Sequence, residues 1–196
     1  MRVPAVRRPG TGGPDGADNV SNRCPDTSLL FVVILKTKQP NQPMTTNNTN
    51  TVRLHRVLRA GPERVYRAFL DADAMAKWLP PNGFTGKVHQ MDAKVGGTFK
   101  MSFTNFTTGK SHSFGGTYLE LKPYERIRYT DKFDDPNLPG EMQATITLKQ
   151  VFCGTELSVT QEGIPAAIPA EACYLGWQES LILLAKLVEA EIPDQA

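Results

Sequence analysis

A chain of 196 residues with 40% hydrophobic content holds material for one ordinary domain plus a tail. Its 22 basic and 20 acidic residues leave a formal charge of only +2, which gives no electrostatic case for DNA, RNA or an anionic membrane as partner. Cys24, Cys153 and Cys173 are too few and too scattered for a disulfide framework or a zinc site, so the expected compartment is a reducing cytoplasm.

Residues 1–50 read unlike the rest. Arg7-Arg8-Pro9-Gly10, Gly12-Gly13-Pro14 and the polar run Thr45–Asn50 cannot bury enough apolar surface to offset the entropy of ordering. They are expected to be disordered, or, up to Pro43, to be an extension upstream of a true start at Met44. The apolar run Leu29–Leu35 is far short of the roughly 20 residues needed to span a bilayer, so no membrane span is expected. Lys36 and Lys38 follow it where a signal peptide would need small residues.

Residues 51–192 are densely patterned and form the expected domain. Val52, Leu54, Val57 and Leu58 predict a strand. Pro62 after Gly61 opens a helix, because proline at the first helical position gives up an N–H that has no partner there. Val65, Ala68, Phe69 and Ala72 lie on one face of it. Asp73 is expected to cap a second short helix that Pro80-Pro81 ends. Strict alternation over Thr98–Phe103 sets Phe99, Met101 and Phe103 on one face of a strand. Tyr118–Leu121, Arg126–Phe133, Met142–Phe152 and Glu156–Gln161 follow as further strands, and their short links predict antiparallel neighbours. A long helix from near Pro169 to Ala190 closes the domain. Its apolar stripe is Tyr174, Trp177, Leu181, Leu184 and Val188, widened by Ile182, Ala185 and Leu187. Wrapping one curved antiparallel sheet around that helix buries both apolar faces, so the fold class is α+β.

The order of elements and several strings resemble one family. Arg56–Ala60, Glu63–Phe69 and Trp78–Phe84 are similar to the opening of START/Bet v-like (SRPBCC) proteins, in the branch named after the activator of heat shock protein 90 ATPase. Val95–Phe99, Gly116–Glu120, Pro123–Ile127 and Gly176–Leu181 extend the likeness in the family's order. It departs where Gly61 separates Ala60 from Pro62 and where Leu79 replaces an aromatic after Trp78. The resemblance implies a START-like helix-grip fold with a ligand cavity between sheet and long helix. The residues expected to line that cavity are Phe99, Met101, Phe103, Tyr118, Tyr129, Trp177 and Leu181.

No catalytic constellation assembles from the sequence. His55, His89 and His112 lie on separate segments without a nucleophile beside them. Asp131, Asp134 and Asp135 precede Pro136-Asn137 and read as a solvated loop rather than a cation site. Glu162 reads as an exposed acid, and Cys153 and Cys173 as structural. The expected function is therefore cofactor-free, metal-free and non-enzymatic binding of a small hydrophobic ligand. The alternatives are a cyclase- or hydrolase-like enzyme using the same cavity, and a co-chaperone-like module acting on a chaperone ATPase. A homodimer is compatible with each.

Overall fold

The structure is a computed structural model and describes residues 50–192. The expected extension, residues 1–50, lies outside the described residues but for Asn50, whose carbonyl accepts from the Ile164 N–H at 3.1 Å.

The domain opens with β1 (Thr51–Leu58), then α1 (Pro62–Ala68) and α2 (Ala72–Trp78). Six strands follow as a meander: β2 (Phe84–Met91), β3 (Thr98–Asn105), β4 (Ser111–Lys122), β5 (Arg126–Phe133), β6 (Met142–Val151) and β7 (Gly154–Glu162). The chain then enters α3 (Ala170–Val188). All strands are antiparallel in one sheet of order β1-β7-β6-β5-β4-β3-β2. This is the helix-grip α+β fold, with the sheet curved around α3.

Alternation explains which side of the sheet is buried. Ala144, Ile146 and Leu148 on β6 face inward beside their register partners Gln161, Val159 and Leu157 on β7. On α3, Trp177, Ser180, Leu181, Leu184, Ala185 and Val188 form the face packed on this layer. Two positions of the expected stripe fall elsewhere. Tyr174 is 40% and Ile182 46% exposed, because the buried stripe starts at Cys173 and Trp177 rather than at Tyr174.

The short helices are anchored individually. Pro62 occupies the first turn of α1, as expected. The cap of α2 is Asp71 rather than Asp73: Asp71 stands in an extended conformation one residue before the helix, and its carboxylate accepts from the Ala74 N–H at 2.8 Å. Trp78, fully buried, donates its indole N–H to the Ala68 carbonyl at 2.8 Å and stands edge-on to Phe69. Ser180 Oγ lies 2.6 Å from the Leu79 carbonyl and 2.9 Å from that of Gly176, so its single proton bridges α3 to the end of α2.

Two strand assignments differ from expectation. β2 alternates half-buried Phe84, Gly86 and Val88 with exposed Thr85, Lys87 and His89 until its register shifts between Val88 and Gln90, and it pairs along β3 as one edge of the sheet. β4 starts at Ser111, well before Tyr118, and runs through Gly115 and Gly116. A Cβ on Gly116 would stand 1.7 Å from the Thr130 carbonyl oxygen, so glycine is what lets β5 approach at this point. Cys173 is a free thiol. Among the described residues no helix is long and apolar enough to cross a membrane.

Candidate functional site

Between α3, the end of α2 and the inward face of the sheet lies a cavity of about 270 Å³. Its apolar wall comes from Met75 and Leu79 of α2, Phe84 of β2, Phe99 and Phe103 of β3, Phe114 of β4, Tyr129 and Phe133 of β5, and Trp177 of α3. Rings meet edge to face around it: Phe103 with Phe114 at 4.8 Å, Phe114 with Phe133 at 6.1 Å and Phe99 with Tyr129 at 5.4 Å.

Of the residues expected to line the cavity, Phe99, Phe103, Tyr129 and Trp177 stand on its wall. Met101, Tyr118 and Leu181 do not; they are buried in the adjoining core. The Tyr118 ring packs behind Phe99 and Tyr129, at 5.6 and 6.3 Å, and its buried hydroxyl has no hydrogen-bond partner. Burial pushes that hydroxyl up to about 12 and raises Tyr129 further still.

Of the polar residues of the wall, Gln161 and Ser180 were not singled out by the sequence, and His112, Asp131 and Cys173 were not assigned to the cavity. Trp177 Nε1–H donates to Gln161 Oε1 at 2.8 Å, and Gln161 Nε2 reaches Met142 Sδ at 3.4 Å. Asp131, read from sequence as a loop acid, belongs to the inward series Ile127, Tyr129, Asp131, Phe133 of β5 and lines the cavity. It stands opposite Met142 on β6, so Asp131, Met142 and Gln161 cross three neighbouring strands at one end of the sheet. Its companions in sequence go elsewhere: Asp134 pairs with Lys100, and Asp135 accepts from the Asn137 N–H at 2.8 Å. Of the histidines, His112 reaches the cavity mouth, His55 pairs with Glu156 at 3.0 Å, and His89 bonds Ser102 at 2.8 Å. Among the described residues no group of three or more His, Cys, Asp or Glu is placed to hold a metal ion.

Asp131 is the electrostatic centre of the site. The residue is half-buried, but its Oδ1 is shielded from solvent and has no hydrogen-bond partner. Desolvation raises the carboxyl from 3.8 to about 7 against the opposing pull of the Lys132 backbone N–H. Burial, with the Asp131 charge second, also raises the Cys173 thiol, which makes it a poor nucleophile.

The sign of the resulting stability change follows from linkage. Between about pH 4 and pH 7 the folded chain keeps a proton on Asp131 that the unfolded chain has lost, so stability falls as pH rises through that window and then levels. Asp131→Asn removes this loss. Its melting stability relative to the parent is expected to improve by on the order of 2 kcal/mol from pH 4 to pH 8, less than the full shift because the residue is only half-buried. Denaturation series at both pH values check it; an unchanged difference would place the carboxylate in water.

A family model described as Activator of Hsp90 ATPase homolog 1-like protein matches residues 59–189. The crystal structure of a protein from Chromobacterium violaceum is similar at 65% identity and a TM-score of 0.72, over 72% of this chain and 99% of that one. An AHSA1-like protein from Aeromonas hydrophila shares the fold at 19% identity and a TM-score of 0.59, over 71% of this chain and 92% of that one. A Rhodobacter sphaeroides protein does so at 22% and 0.61, over 69% and 90%. No curated protein matches the chain.

Proposed function

The chain belongs to the Activator of Hsp90 ATPase homolog 1-like family, and from that premise we propose that its domain binds a small hydrophobic ligand in the cavity between sheet and α3. The observation that carries this reading is an aromatic-walled space of about 270 Å³ with a few polar groups set into it. A dry apolar cavity of about 150 Å³ takes benzene, so this one suits a single ring with a short substituent.

Gly176 supplies the test. It lies mid-helix on the cavity wall, and a Cβ there would meet nothing within 4 Å. Gly176→Ala is expected to stabilise the domain by about 0.5–1 kcal/mol through helix propensity. Gly176→Leu should keep the fold while filling the cavity. Titration with propylbenzene, followed by tryptophan emission, is expected to give saturable binding to the parent and none to Gly176→Leu. Equal binding by both proteins would sink the cavity reading.

A second reading, a cyclase- or hydrolase-like enzyme using the same cavity, is favoured by one observation. A carboxyl raised to about 7 in an apolar site is suited to proton transfer near neutrality.

A further inference from the structure

Several polar groups of the cavity wall already have partners. Trp177 is bonded to Gln161, Gln161 to Met142, and Ser180 to the carbonyl of Leu79. Asp131 Oδ1 is buried without a partner. Such an oxygen costs free energy unless something in the cavity brings it a donor. No lysine or arginine stands among the wall's described residues to serve as its counter-ion. The wall offers rings instead, and the faces of Phe, Tyr and Trp attract an organic cation through their quadrupoles. A lone carboxylate in an aromatic box is thus complementary to a positive charge carried on a hydrocarbon frame.

We propose that the ligand is a compact apolar amine, held as its ammonium ion by the Asp131 carboxylate and the surrounding aromatic rings. This rests on the reading that the cavity takes a small hydrophobic molecule, and it names the class. The ammonium N–H supplies the donor that Oδ1 lacks, and the two charges neutralise each other out of water. The hydrocarbon frame occupies the apolar remainder. Binding requires the ionised carboxyl, so affinity depends on pH. The other titratable groups facing Asp131 are Cys173 from α3, His112 from β4 at the mouth and Tyr129 from its own strand; β6 and β7 present Met142 and Gln161, which carry no charge.

The probes are 2-phenylethylamine and propylbenzene, which share a skeleton and differ in the terminal ammonium or methyl group. By calorimetry at pH 8 the parent protein is expected to bind the amine at least tenfold more tightly. Asp131→Asn should abolish that preference. From pH 8 to pH 6 the parent should lose about tenfold in amine affinity as the carboxyl takes up its proton, with propylbenzene unaffected. The pH series needs no variant, so the inference stays testable if Asp131→Asn misfolds. His112→Gln should retain the same pH response; its loss there would assign the response to the mouth histidine and overturn the role given to Asp131. Equal or tighter binding of propylbenzene by the parent would overturn the amine class while leaving the cavity reading standing. Failure of both probes to bind would remove both.

Discussion

Gly116→Ala is expected to destabilise the domain by on the order of 4 kcal/mol or more, a large part of the roughly 5–15 kcal/mol that holds a domain folded. The added methyl would stand 1.7 Å from the Thr130 carbonyl oxygen and 2.5 Å from its carbon. Those are backbone atoms of β5, so relief requires moving a strand rather than turning a side chain. The register set by Gly115–Lys132 and Tyr118–Tyr129 puts Gly116 opposite Asp131. The same displacement would shift the acid of the cavity. Urea denaturation of Gly116→Ala beside Gly176→Ala makes the comparison internal, one methyl on a strand and one in open space. A loss below about 1 kcal/mol at Gly116 would show that β5 yields easily, against the packing described.

Trp78→Ala is expected to cost about 3–5 kcal/mol. The indole is fully buried, stands 4.7 Å from the Phe69 ring, and satisfies a carbonyl at the end of α1 that the helix itself leaves without a partner. Removing it opens a void between α1 and α2 and strands the Ala68 carbonyl. Trp78→Phe keeps most of the ring and loses the donor, so it should fall at about 1–3 kcal/mol. Because α2 brings Met75 and Leu79 to the cavity, propylbenzene affinity should fall in Trp78→Ala even where the protein remains folded. Stability close to that of the parent would mean that α1 and α2 close over the gap.

The elements legible from sequence were those where hydrophobic period and burial coincide. β3, β6 and β7 alternate because one face is packed, and α3 shows its stripe for the same reason. β2 was illegible because its inward face, Phe84, Gly86 and Val88, contains a glycine and is then put out of phase by the register shift that brings Met91 rather than Gln90 inward. Gly86 is there for the close approach of α2, whose Ala76 carbonyl would lie 2.8 Å from a Cβ. The early half of β4 was hidden by serine, histidine and glycine, residues that read as a turn until the close crossing of β5 is seen.

The site was legible in part for a related reason. Aromatic residues mark a packed interior without saying which of its surfaces border empty space, and that separates Phe99 and Trp177 from Tyr118 and Leu181. Asp131 was obscured by Asp134, Asp135 and Pro136, which gave it the look of a loop. The signal that finds it is parity: Ile127, Tyr129, Asp131 and Phe133 share one face of β5, so the aspartate points where its apolar neighbours point. Gln161 follows the same rule after Leu157 and Val159 on β7. A polar residue in phase with a buried series is the mark of a lined cavity, more than any motif in this chain.

The ladders from β2 to β7 each join neighbours in sequence, and hairpins of this kind close fast. β1 is different: it meets β7 across the whole domain, with His55 against Glu156 at a separation of 101 residues. That seam carries a loop-closure entropy which the hairpins do not. The meander can therefore assemble as a nucleus while β1 remains unattached, and the seam zips late together with the docking of α3. Interactions in β1 then act chiefly as a brake on unfolding, and the persistence of the native state is decided at the strand that joins last.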